Sequence, residues 1–274
     1  MSADGKPIRQ LVVLSDLHCG STVALMPPDF KTIEGQVLAQ NALQRWLWDS
    51  WQRAQEYIAL MTGGDPFALV LNGDLIEGIH HGTKQVISPD ATDHSNAAIA
   101  VLEPLARLAA KTFVVAGTEC HVNNHEVSIA RALGAETNPE SGFKAFNRLT
   151  VDVCGVRCVF RHHIPATTRR NLRGSQLSLT LAEEQIEATC NSEPIPRVVV
   201  CSHRHQFDHY TNGQGLIIVT PPWQALTRHG HKIVTASRTK PGVVILDWRF
   251  RKDGELPDIH AKTYDTPAPT AIKL

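Results

Sequence analysis

Short apolar runs that stop abruptly at aspartate or histidine constrain this chain more than any other feature. Ile8 to Ser15 reads IRQLVVLS and runs into Asp16-Leu17-His18, and Phe67 to Asn72 reads FALVLN and runs into Gly73-Asp74. Phe113 to Ala116 leads to Gly117-Thr118-Glu119-Cys120-His121, and Arg197 to Cys201 leads to Ser202-His203-Arg204-His205. A fifth run closes on His162-His163. Branched apolar residues in uninterrupted series are expected of strands buried on both faces. In an α/β sheet the carboxyl ends of neighbouring strands converge on one edge, so side chains far apart in sequence meet in one cleft.

Each piece alone has a plain structural reading. An aspartate after a strand caps a turn or helix, and a His-x-His at a strand end faces solvent. The ordered set is what points to chemistry, because every run ends in a group able to ligate a metal. Mixed aspartate and histidine ligands suit a pair of divalent ions such as Mn, Fe, Zn or Ni, with Mn favoured. Two such ions about 3.5–4 Å apart can clamp the attacking and leaving oxygens of a displacement at phosphorus.

Between these runs the periodicity predicts helices over about 31–60, stopped by Gly63-Gly64, and over 91–110, 125–133 and 175–189. Pro104 is expected to kink or restart the second of these. Alternating stretches predict hairpins over 147–162 around Gly155, over 206–219 around Asn212-Gly213, and between 242–250 and 259–264 across Asp253-Gly254. The β-α-β-α-β order followed by hairpins predicts an α/β fold with two packed sheets flanked by helices. A single domain over 1–265 is expected, with a loosely ordered tail over 266–274 that carries Pro267 and Pro269.

Lys plus Arg equals Asp plus Glu at 27 each, so net charge gives no reason to expect a nucleic-acid or membrane partner. No stretch approaches the roughly 18 apolar residues of a membrane span, and no leader pattern opens the chain, so a cytoplasmic protein is expected. Six cysteines without a CxxC pair predict reduced thiols. Trp46, Trp48, Trp51 and Tyr57 fall near helical spacing with little positive charge between them, which predicts packing rather than a nucleic-acid surface.

The blocks Asp16-Leu17-His18, Gly73-Asp74, Gly117 to His121, His162 or His163, and His203-Arg204-His205 together resemble those of the calcineurin-like metallophosphoesterases. The resemblance implies a four-layer α/β/β/α sandwich of two mixed sheets flanked by helices, with a dinuclear metal centre at the strand ends. It implies Asp16, His18 and His205 as ligands of one metal and Asp74 as the bridging carboxylate. His203 and one of His162 or His163 would serve the second metal, and a bridging hydroxide would attack phosphorus. The third block departs from the family's Gly-Asn-His pattern and is similar to the Gly-Thr-Glu-x-His of bacteriophage and prophage members. The expectation drawn here is that Glu119 replaces the asparagine as ligand and His121 acts as acid or phosphate-orienting group. In the alternative, Glu119 caps the following helix and Thr118 is the ligand. Strand alternation lets only one of His162 and His163 face the cleft. The resemblance favours His162, since the family's ligand sits at the very end of the strand before a turn and Pro165 supplies that turn, with His163 the alternative.

Substrate contacts are expected from His80 or His81 on the loop after Asp74. Arg169, Arg170 and Arg173 are candidates for gripping phosphate oxygens, and His229 for walling the pocket. The leading expectation is a metal-dependent phosphoesterase acting on a phosphate ester, with a diester favoured. A nuclease acting on DNA or RNA and a catalytically inactive binding or scaffold protein of the same fold are the alternatives. The sequence leaves a homo-oligomer open.

Overall fold

The structure is a computed structural model that describes residues 5–80, 82, 84–122, 125–165, 173–227 and 239–266, with only the backbone at Arg173. The first half contains β1 (Gln10–Leu14), the short pair β2 (Phe30–Lys31) and β3 (Val37–Leu38), α1 (Ala42–Thr62), β4 (Phe67–Asn72), α2 (Ala91–Leu108), β5 (Lys111–Val115), α3 (Glu119–Val122), α4 (His125–Ala132) and β6 (Ala145–Phe146). The second half contains β7 (Leu149–Val153), β8 (Val156–Phe160), α5 (Arg173–Cys190), β9 (Val198–Cys201), β10 (Asp208–Thr211), β11 (Leu216–Val219), β12 (Gly242–Asp247) and β13 (Asp258–Thr263).

Two mixed sheets result. One has the order β13-β12-β1-β4-β5-β6 and the other β10-β11-β9-β8-β7. In the first, β1, β4, β5 and β6 run parallel, while β12 lies antiparallel to β1 and β13 to β12. In the second, β8, β9 and β11 run parallel between antiparallel edge strands.

Residue parity sorts the core into layers. On β1, Val12 and Leu14 face α1 and α2 with Leu69 and Leu71, while Leu11 and Val13 face the other sheet. On β9, Val198 and Val200 face that inter-sheet core, and Val199 and Cys201 pack under Leu177 and Leu181 of α5. The layers therefore run helix, sheet, sheet, helix, as the resemblance implies. Both faces of the central strands are covered, which is why they read as unbroken apolar runs.

The helix expected over 31–60 begins later, at Ala42. Asn41 caps it, its side chain accepting from the Gln44 N–H at 2.9 Å while the Gln44 side chain accepts from the Asn41 N–H at 3.1 Å. The preceding stretch turns through Gly35 as the β2–β3 pair instead. α2 continues through Pro104, held by buried Val101, Leu102 and Leu105. Trp51 is fully buried and meets Trp223 edge to face at 5.0 Å, and Trp46, Trp48 and Tyr57 pack around the same core. All six cysteines are free thiols. No helix among the described residues is long and apolar enough to cross a membrane.

Candidate metal centre

The site lies beyond the carboxyl ends of β1, β4, β5, β8 and β9. Past β1 and β4 the chain leaves regular strand geometry, yet the two segments stay zipped together. Asp16 N–H donates to Gly73 O at 3.0 Å, His18 N–H to Asp74 O at 3.0 Å, and Glu77 N–H to Cys19 O at 2.9 Å. Eight described residues other than glycine have left-handed backbone, and five of them are Asp16, His18, Asp74, His203 and His205, with φ between 44° and 70°. Such conformations cost roughly 1–3 kcal/mol each and persist where surrounding structure over-determines them. Here they break strand alternation and turn the side chains into one cleft. Gly73 and Gly117 leave room for this, since a Cβ on the first would strike the His162 ring and one on the second would strike Asp74.

Asp74 is at the centre. Its Oδ2 lies 2.9 Å from His162 Nε2, 3.8 Å from His18 Nε2 and 3.9 Å from His203 Nδ1. Asp16 Oδ1 lies 3.3 Å from His205 Nε2 and 3.9 Å from His162 Nε2. His18 Nε2 and His205 Nε2 are 3.2 Å apart. Ligand atoms within 4.8 Å of one another thus form four groups among the described residues: Asp16, His18 and His205; Asp16, Asp74 and His162; His162, His163 and His203; and His18, Glu77 and His121.

These residues fit a pair of divalent cations. Asp16 and Asp74 are 0% and 1% exposed, and Asp16 Oδ1 has no hydrogen-bond donor among the described residues. Buried carboxylates in that state require nearby positive charge. Without a metal the imidazoles supply it. Burial pushes Asp16 up, but His205 and His162 outweigh it and hold the carboxyl at about 2. Burial also opposes charge on His162, yet Asp74 and Asp16 raise it to about 10. His18 is raised in the same sense by Glu77, against its burial.

At the third block the geometry favours the alternative of Thr118 over Glu119. Glu119 is exposed on the first turn of α3 and joins none of the clusters. Thr118 faces the site instead, its N–H donating to Asp74 Oδ1 at 2.6 Å and its hydroxyl to Asp74 Oδ2 at 3.1 Å. The hydroxyl also lies 3.3 Å from His203 Nδ1. Because the Thr118 N–H is aimed at Asp74, the following residue starts the helix on its outer side. At His162 and His163 strand alternation does not decide the facing, because β8 ends at Phe160. His162 is buried against Asp74 and His163 is exposed, and both rings flank His203 with centroids at 5.3 and 4.7 Å.

His121 sits beside the first cluster, its ring 4.8 Å from that of His18. A carbonyl only accepts, so the 2.8 Å contact to Glu77 O fixes the proton on Nδ1 and leaves Nε2 as an acceptor. Burial and the neighbouring His18 hold this imidazole at about 4. His80 lies next to His121, with Nε2 3.1 Å from Glu77 Oε1. His81, Arg169, Arg170 and His229 lie outside the described residues, as does the side chain of Arg173.

Sequence reasoning missed two buried carboxylates. Glu77 Oε2 lies 3.0 Å from His18 Nδ1 and accepts from Gln224 Nε2 at 2.7 Å, so it fixes the ring whose other nitrogen faces the cluster. Its signal was an acid three residues after Asp74, on the loop expected to supply substrate contacts. Glu126 of α4 accepts the Leu75 N–H at 3.1 Å and the Gly117 N–H at 2.7 Å, tying the second and third ligand loops together. Burial and the charge of Asp74 raise it to about 7. Nothing in its local sequence separates it from a surface helix residue.

No family model matches the chain, and no curated protein matches it. Among solved structures it is similar to Vps29 of Chaetomium thermophilum, at 12% identity over 96% of this chain and 100% of that one, with a TM-score of 0.46. It is also similar to an archaeal phosphodiesterase, at 12% identity over 93% and 99% with a TM-score of 0.45. A Vps29 of Entamoeba histolytica complexed with Zn2+ gives 11% identity over 93% and 98% with a TM-score of 0.44. The metal centre therefore stands on its own geometry.

Proposed function

We propose that the protein is a metal-dependent phosphoesterase whose centre holds two divalent cations, Mn favoured. The observation that carries this reading is Asp74, a buried carboxylate with imidazoles of both ligand sets around it. Asp16, His18 and His205 would hold one cation, His162 and His203 the other together with His163 or Thr118, and Asp74 would lie between. Bound there, the cations supply Lewis acidity toward phosphoryl oxygens and lower the pKa of water enough for it to serve as nucleophile at neutral pH.

The chain's own residues supply order around that chemistry. Glu77 keeps His18 aligned, Thr118 fixes both oxygens of Asp74, and the His121 Nε2 lone pair stands ready to accept a hydrogen bond from substrate or water. His163 is exposed at the open side of the cleft, and where Thr118 completes the second ligand set the His163 imidazole is free to exchange a proton with the leaving group. A phosphodiester is the favoured ester, and hydrolysis of paired substrates tests it.

The test is metal content together with hydrolysis of bis-p-nitrophenyl phosphate and p-nitrophenyl phosphate, for the wild type and Asp74→Asn. About two metals per chain and faster diester turnover, both lost in the variant, are expected. A metal-free, inactive wild type would overturn the reading.

A further inference from the structure

Beneath the proposed centre, one polar residue from each of four strand ends joins a single buried chain that crosses between the sheets. Ser15 follows β1 and Asn72 ends β4, both of the first sheet, while Ser202 follows β9 and Thr220 follows β11, both of the second. All four are 0% exposed. Asn72 Nδ2 donates to Ser202 Oγ at 2.6 Å, Ser202 Oγ lies 2.7 Å from Thr220 Oγ1, Thr220 Oγ1 lies 2.6 Å from Ser15 Oγ, and Ser15 Oγ donates to Asp16 Oδ2 at 2.6 Å.

The two ends dictate the direction of every proton. A carboxylate only accepts, so Ser15 donates to Asp16, and the Ser15 oxygen must then accept from Thr220 across 2.6 Å. The Thr220 proton being committed, Ser202 donates to Thr220. Thr220 also lies 3.2 Å from Cys201 O, but donating there would leave two hydroxyl oxygens 2.6 Å apart with no proton between them. At the other end Asn72 Nδ2 faces two acceptors, Ser202 Oγ and Arg161 O at 3.1 Å, which fixes the amide orientation and leaves its Oδ1 without a partner among the described residues. Four donors therefore point the same way, toward Asp16, and bonds in such a series strengthen one another. The backbone of Asn72 reaches the second ligand set, because its carbonyl accepts from His162 Nδ1 at 2.8 Å.

We infer that Ser15, Thr220, Ser202 and Asn72 form a polarised relay of positioning residues that sets Asp16 from one sheet and His162 from the other for metal binding. The inference rests on the metal-centre reading of Asp16 and His162. Four polar groups buried where two apolar sheets meet gain little for folding alone, since each merely replaces hydrogen bonds with water. Their serial direction toward a ligand is what a packing role leaves without a reason.

Titration of the chelated, refolded protein with Mn2+ alone tests this, in the wild type, Thr220→Val, Thr220→Ser and Ser202→Ala, each checked by circular dichroism and thermal melting. Thr220→Val and Ser202→Ala are expected to weaken Mn2+ about ten- to hundredfold, and Thr220→Ser to stay close to wild type because it keeps the hydroxyl. Ser202→Ala carries the test if Thr220→Val does not fold. Mn2+ affinity within about twofold of wild type in the folded breaks, whatever their melting temperatures, would overturn the relay while leaving the metal centre intact. A wild type that binds no Mn2+ would overturn both, and the two failures are told apart by the wild-type titration.

Discussion

Thr118 and Glu119 are neighbours, and only one of them touches the site. Exposed Glu119 has no part in the clusters, so Glu119→Gln is expected to leave metal content and turnover within about twofold of wild type, whereas Thr118→Val removes a hydroxyl from Asp74 and His203 and costs about ten- to hundredfold in metal affinity or rate. A loss of metal or turnover in Glu119→Gln as large as that in Thr118→Val would return Glu119 to the ligand set. A second prediction at this scale concerns protons. His162 is raised to about 10 without metal, from an ordinary value of 6.5, so its contribution to stability is fully present below pH 6.5 and is lost as pH rises through 10. A ligand must give up that proton, so Mn2+ uptake at pH 7 is expected to release protons and to tighten as pH rises toward 10. Calorimetry in two buffers of different ionisation enthalpy reads the release, and identical heats in both would contradict it. Asp16, His18, Asp74, His162, His203 and His205 were legible because each closes an apolar run. Glu77 and Glu126 were not, because their roles depend on neighbours distant in the chain.

At the scale of elements, the ends matter more than the middles. Asn41 and Gln44 satisfy each other's backbone at the start of α1, outside the ligand groups. Asn41→Ala is expected to cost about 1 kcal/mol in urea unfolding while metal content stays unchanged. A loss of metal in that variant would mean that α1 supports the site more directly than its packing indicates. Gly117→Ala makes the opposite prediction. Its Cβ would collide with the backbone and carboxylate of Asp74, so metal binding should fall more than tenfold even where the protein folds. The hairpins around Gly155 and Asn212-Gly213 were readable from alternation and turn residues, and so was β4 from its apolar run. The β2–β3 pair was hidden inside an apparent helical periodicity, and β6, two residues long, is too short to leave a pattern.

Across the whole molecule, the ligands come from both sheets and both halves of the chain, so binding cations should stabilise the fold as a unit. Mn2+ at about 100 times its Kd is expected to add about 2.7 kcal/mol per site, and chelation to lower Tm by the corresponding amount. An unchanged Tm on chelation would exclude a metal held between the sheets. The sequence by itself determined the layers and most of the side chains that cluster at the strand ends, because a strand buried on both faces must be apolar throughout and a polar residue at its end must have a reason. Tertiary structure alone decided which of two adjacent residues turns inward at 118 and 119, that His162 and His163 both flank His203, and that Ser15, Asn72, Ser202 and Thr220 form one chain. Those outcomes follow from left-handed backbone at the ligands and from hydrogen bonds between sheets, and neither leaves a local pattern in the sequence.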